Sequence, residues 1–115
     1  MFNYIKFIKT FENSENNNFP EVGDYVIFNT NYTNDEQFIR LSNFLNNNLG
    51  IIDKIYMPNY GEKYRADVKY DNIPEDLKLS FRKDGTIDTI LDKIYAYGKT
   101  PEEVEMKVKS KKYNL

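Results

Sequence analysis

Between Lys63 and Tyr70 apolar and polar residues alternate without a break. Tyr64, Ala66, Val68 and Tyr70 fall on one side, and Arg65, Asp67 and Lys69 on the other. A period of two sends successive side chains to opposite faces of a pleated strand, so this stretch reads as a half-buried strand. Gly50-Ile51-Ile52-Asp53-Lys54-Ile55-Tyr56-Met57 reads as a second strand. The turn cluster Pro58-Asn59-Tyr60-Gly61-Glu62 joins the two into a hairpin. Upstream, Tyr25-Val26-Ile27-Phe28 is a run of strand-prone residues that follows a Gly23-Asp24 turn.

Downstream, Leu77, Leu79 and Phe81 alternate with Lys78, Ser80 and Arg82. That predicts a further strand after a single 3₁₀ turn at Pro74-Glu75-Asp76. Lys83-Asp84-Gly85 reads as a hairpin turn. A three-residue loop with Gly85 in the left-handed region pairs Phe81 with Ile87 and Leu77 with Leu91, which keeps apolar residues on one face. Ile87, Ile90, Leu91 and Ile94 also fit helical spacing, so the strand reading of this segment competes with a helix. Lys93 to Tyr97 reads as the closing strand, ended by Gly98.

Two stretches carry helical signals. Thr33-Asn34-Asp35-Glu36 has the form of a capping box, with Thr33 as the cap, and Phe38, Leu41 and Leu45 recur at helical spacing behind it. The prediction is a helix over 34–46, ended by Asn46-Asn47-Asn48 and Gly50 in a left-handed cap. Thr100-Pro101-Glu102-Glu103 is a second box with Pro at the first helical position, which predicts a short C-terminal helix over 101–109. Residues 1–20 read as an apolar arm and a polar linker, and 21–115 as a single β-rich domain. The arm, Phe2 to Phe11, reads as a segment folded back on the domain or as a docking peptide.

Composition then excludes several chemistries. With no His and no Cys, nucleophile–His pairs, disulfides and His or thiolate metal sites cannot be built from this chain. No Gly-rich phosphate loop or calcium-loop spacing occurs. The paired carboxylates Glu75/Asp76 and Glu102/Glu103 are accounted for by a turn and a cap. The expectation is therefore a non-catalytic protein without cofactor or metal. No apolar run approaches the roughly 20 residues that span a bilayer, and the N-terminus lacks the continuous apolar core of a signal peptide. A cytoplasmic protein is expected. The net charge of −2 provides no global basic field for nucleic acid. The Asn runs at 16–18 and 46–48 read as codon bias.

Two surfaces remain as candidates for binding. From Phe11 to Ile39 there are six acidic residues and no cation: Glu12, Glu15, Glu21, Asp24, Asp35 and Glu36. Such a block mimics nucleic-acid charge, meets a basic partner, or is simply a solvated face. Against it stand the tyrosines, ten in all, a residue type that suits recognition surfaces. Tyr56, Tyr60 and Tyr64 cluster around one hairpin and are the preferred contacts, with Tyr60 foremost because a turn position is least suited to a core role. Glu12, Glu15 and Asp35 are the secondary candidates.

The entry "VGDYV" and the run "LGIIDKIY" resemble SH3-like small barrels, including the KOW type. That implies a five-stranded barrel or strongly bent sheet with an inserted helix. The peptide "YIKFIKTFEN", the VGD strand and the ending "YGKTPEEVE…KYNL" resemble small accessory proteins of tailed phages. That resemblance implies a protein that binds and modulates a host protein, for example as an inhibitor of a defence system. A nucleic-acid-binding KOW-like barrel and a minor virion component are the competing expectations.

Overall fold

The computed structural model describes residues 19–33 and 35–113, with side chains to Lys111. Five strands form one antiparallel sheet: β1 (Tyr25–Phe28), β2 (Gly50–Tyr56), β3 (Arg65–Lys69), β4 (Thr86–Ile90) and β5 (Ile94–Gly98). Their spatial order is β4-β3-β2-β1-β5. Helix α1 (Glu36–Asn47) is inserted between β1 and β2, and helix α2 (Pro101–Tyr113) follows β5. The architecture is α+β with an open sheet. β5 pairs with β1 only, so it extends the sheet and does not close a barrel.

Strand β1 lies where both faces are covered, and this explains its unbroken apolar run. Val26 and Phe28 point into the main core with Leu41 and Leu45 of α1, and with Ile52, Ala66 and Val68 from β2 and β3. Full burial of a side chain such as Leu45 contributes about 1.5–3 kcal/mol. Ile27 has the opposite parity and pairs with Ala96, on the side where Val104 of α2 is fully buried. The helices therefore split the work: α1 covers one face of the sheet, and α2 covers the other face over β1 and β5 alone.

Two irregularities bend the sheet. The register shifts between Ile52 and Lys54 on β2, and between Ile27 and Phe28 where β1 meets β5. An extra residue in one strand sharpens local twist. Gly50 opens β2 where no other residue fits: a Cβ there would sit 2.4 Å from Val68 Cγ1 and 2.6 Å from Tyr70 Cζ.

Helix α1 starts later than its sequence pattern predicts. Its cap is Asp35, whose carboxylate accepts the Gln37 N–H at 2.7 Å, and not Thr33. An ionised cap also lies in the favourable field of the helix N-terminus, an advantage a hydroxyl lacks. The end differs too. Asn48 is extended (φ −133°), and the last carbonyls are met by side chains, Asn47 Nδ2 on Asn43 O and Asn48 Nδ2 on Phe44 O. Asn46 clamps the β1–α1 connection, accepting the Thr30 N–H at 2.8 Å and donating to the Thr30 carbonyl at 2.9 Å. Each asparagine of the run at 46–48 thus has a structural role. Phe38, expected on the buried face, is 47% exposed and meets Tyr32 edge-on.

The largest correction is at 77–82. The segment is not a strand but part of a 3₁₀ helix, Glu75–Ser80. Pro74 launches it, and its carbonyl accepts the Leu77 N–H at 3.0 Å. A period of three buries Leu77 and turns Leu79 fully outward, so the alternating pattern is not used. Two side chains of α1 hold the segment in place, Gln37 Nε2 on Asp76 O at 2.5 Å and Arg40 Nε on the Asp76 carboxylate at 2.8 Å.

The Gly85 turn does form, with φ +87° and with Arg82 N–H bonded to Thr86 O at 2.9 Å. Past that bond β4 pairs with β3, Val68 opposite Ile87, and the pairings of Phe81 with Ile87 and Leu77 with Leu91 do not occur. The 87–94 segment is strand to Ile90, then one 3₁₀ turn, Leu91–Lys93. Gly98 is the last residue of β5, opposite Tyr25. Thr100 caps α2 through the Glu103 N–H at 3.1 Å, while Glu103 reaches back to the Lys99 N–H at 2.8 Å. The helix runs to Tyr113, beyond the expected 109.

Candidate functional site

Among the described residues no helix covers the face of the sheet away from α1 over β2, β3 and β4. Strand parity puts Lys54, Tyr56, Arg65, Asp67, Lys69 and Asp88 there. Arg65, Asp67 and Lys69 are the polar positions of the alternation that predicted β3. At the centre Asp88 accepts from Arg65 Nε at 2.9 Å and from the Tyr56 hydroxyl at 2.9 Å. Partial burial and then the Asp88 bond push the Tyr56 hydroxyl above its ordinary pKa, and the same carboxylate raises Arg65. Lys54 lies over the Tyr56 ring at 5.5 Å. Further along, Asp67 Oδ1 is shielded from water and faces Arg82 Nη1 at 3.1 Å, without the angle of a good hydrogen bond. The Asp67 carboxylate holds the Arg82 pKa up. These pairs fix Tyr56 and Arg65 in defined orientations, which lowers the entropy cost of using them as contacts.

Beyond the edge of this face projects the β2–β3 turn. Tyr60 at its tip is fully exposed, at 102%. The three tyrosines nominated from the sequence do not form one patch. Tyr56 lies on the β2–β4 face opposite Arg65. Tyr64 has the parity of Ala66 and meets the Phe19 ring edge-on at 5.1 Å, beside Leu91 in a small hollow of about 290 Å³. Tyr60 belongs to neither side. Arg65 is a candidate residue that the sequence reading missed. Its signal was its place on the polar parity of β3 next to a tyrosine on the paired strand.

The four described residues of the acidic block each have a partner within the fold. Asp35 is the helix cap, and Glu36 pairs with Arg40 within α1 at 3.5 Å. Asp24 is buried at 2% exposure, where it accepts the Glu21 N–H at 2.9 Å and Lys99 Nζ at 2.7 Å. Lys99 also holds Glu21 at 2.6 Å. Burial acts to lower the Lys99 pKa, and the hydrogen bonds it donates to Asp24 and Glu21 outweigh it, so the net shift is upward. The VGD stretch is thus a clamp between the start of β1 and the start of α2. Glu12 and Glu15, like the apolar arm, lie outside the described residues.

Two lysines of α2, Lys107 and Lys111, are engaged with β5. Lys107 donates to the Tyr97 carbonyl at 2.7 Å and Lys111 to the Tyr95 carbonyl, each ammonium lying over the ring of the same tyrosine. They shield the backbone of an edge strand, a known defence against unwanted strand pairing.

Among the described residues no group of three or more acidic side chains is placed to hold a metal, and no helix is long and apolar enough to cross a membrane. No family model, curated protein or solved structure matches the chain.

Proposed function

We propose that this chain is a small non-catalytic protein-binding module, a phage-type accessory protein that acts in the host cytoplasm by occupying the surface of a host protein. The observation that carries the reading is the face of β2–β4 that no described helix covers. It combines an oriented Tyr56 and Arg65 with a fully exposed Tyr60 at the adjoining turn. Tyr and Arg are the side chains that most often dominate an interface. Asp24 and Asp35 have internal roles, and Lys107 and Lys111 are bonded to the backbone of β5, which weakens the case for either charged segment as the main contact. The resemblance of "YIKFIKTFEN", "VGDYV" and "YGKTPEEVE…KYNL" to small phage proteins supports the biological setting. The antiparallel five-strand order and the two bulges support an SH3-like, KOW-type relationship for the open sheet.

The test is affinity capture from host lysate with the full chain, with and without nuclease, followed by mass measurement of the purified complex. A nuclease-resistant protein partner that is lost with an Arg65→Ala/Tyr60→Ala chain supports the proposal. A nuclease-sensitive partner replaces it with nucleic-acid binding.

A further inference from the structure

We infer that the cleft between the Tyr70–Ile73 turn and the 78–85 segment seats an acidic peptide segment, with one large apolar side chain lying against Leu79. The inference rests on the protein-binding reading above and names the chemistry of the partner. The cleft is an open hollow of about 590 Å³ beside the point where β3 ends and β4 begins. Four cations line it, Lys69, Lys78, Arg82 and Lys83, against two carboxylates, Asp71 and Asp84. The chain as a whole carries a charge of −2, so this excess of positive charge is local.

One of the two carboxylates is already satisfied inside the fold. Asp84 accepts both the N–H and the hydroxyl of Thr86, at 3.0 and 2.7 Å. Of the cations, Arg82 reaches Asp67 and Lys78 reaches Glu75 at 3.4 Å. Lys69 and Lys83 make no ion pair among the described residues. Leu79, on the same cleft, is 101% exposed, and no packing role within the described fold accounts for it. An apolar group that docks there would remove that surface from water.

Single-stranded nucleic acid fits this site less well. Such ligands need open aromatic faces for base stacking. The two aromatic residues at the cleft are committed to the core: Tyr70 and Phe81 are 3% and 9% exposed and pack on each other and on Phe44. Cations next to an isolated leucine match carboxylates next to an apolar side chain. The same cleft continues onto the β2–β4 sheet face through Lys69 and Arg82, so one partner can span both.

The experiment uses the full ¹⁵N-labelled chain and two probes, a fluorescein-labelled peptide of alternating Glu and Leu, and a mixed-sequence single-stranded DNA of matched charge. The peptide is expected to shift the amides of 69–73 and 79–85. Lys69→Glu/Lys83→Glu is expected to weaken it by about tenfold, and Leu79→Ser by a smaller factor. Both variants alter exposed side chains and should melt like the parent. Peptide shifts that map elsewhere, an absence of shifts, or DNA that moves the same amides at lower concentration would each overturn the inference. The two proposals fail separately. A captured partner that is lost with Tyr60→Ala but indifferent to the charge reversal ends the cleft inference and leaves protein binding standing. Peptide shifts in the cleft, together with a captured partner that binds the Tyr60→Ala chain as tightly as the parent, support the cleft and end the hairpin reading.

Discussion

Removing the Asp24 carboxylate should cost this small domain about 2 kcal/mol. A hydrogen bond to a charged group contributes about 1.5–3 kcal/mol net, and breaking a buried ion pair costs about 3–5 kcal/mol because the orphaned charge stays buried. Asp24 meets the condition for the higher figure, since its side chain is 3% exposed. Lys99 does not: it is 63% exposed and keeps Glu21 at 2.6 Å, so it rehydrates when Asp24 is lost. The Glu21 N–H also lies at the surface end of the clamp. These two facts bring the expected loss for Asp24→Ala down to about 2 kcal/mol, or about 10 °C in Tm for a domain of this size. Asp24→Asn keeps an acceptor for the Glu21 N–H and loses only the charge, so it should cost about half as much. Urea denaturation with constant slope is the assay. A double-mutant cycle with Lys99→Ala should show the two losses to be strongly non-additive. Fully additive losses, or an Asp24→Ala midpoint equal to the parent, would refute the clamp.

Asp35→Ala should lower stability by about 1 kcal/mol while Thr33→Ala leaves the denaturation midpoint unchanged, because the Gln37 N–H is met by Asp35. Tyr70→Phe should raise the midpoint. The Tyr70 hydroxyl is buried with no partner among the described residues, and removing an unsatisfied buried group while keeping the ring contacts should gain about 1 kcal/mol. A loss instead would show that the hydroxyl is bonded. Stability should also fall at alkaline pH. Burial, and then the charge of Tyr32, push the Tyr70 hydroxyl up, and Lys99 is shifted upward as well. Both groups hold their protons more tightly folded than unfolded. Their contribution is therefore complete below the unfolded values, about 10 for each, and is lost as pH rises through the folded ones. Urea midpoints measured across that range should decline, and Tyr70→Phe should flatten the decline.

Much of the fold could be read from local pattern because the local pattern coincided with the tertiary demand. The β3 alternation, the Tyr25–Phe28 run and the Thr100 box each placed an element within a few residues. The failures share a cause. Leu77, Leu79 and Phe81 alternate like a strand, but β4 had a better partner in β3, and Pro74 had already set the chain turning. Thr33 and Asp35 both offer caps, and only the three-dimensional path of the chain decides between them. The Asn46–Thr30 pair joins residues 16 apart, so nothing adjacent to Asn46 announces it. At the candidate site, the exposure of Tyr60 followed from its turn residues. The separation of Tyr56 from Tyr64 followed from the strand pairing, because Tyr56 shares a face with Arg65 and Tyr64 does not. The charge pairs of Arg65 with Asp88 and Arg82 with Asp67 depend on long-range pairing and were beyond any local reading.

The affinity of the purified partner for the full chain and for Tyr60→Ala, measured side by side by calorimetry, tests the account most directly. With Tyr60 fully exposed, the variant should melt at the parent temperature. Its binding should weaken by about 2 kcal/mol, roughly 30-fold in Kd. Unchanged affinity for Tyr60→Ala, together with loss of binding when Glu12 and Glu15 are reversed to Lys, would contradict it and move recognition to the acidic segment.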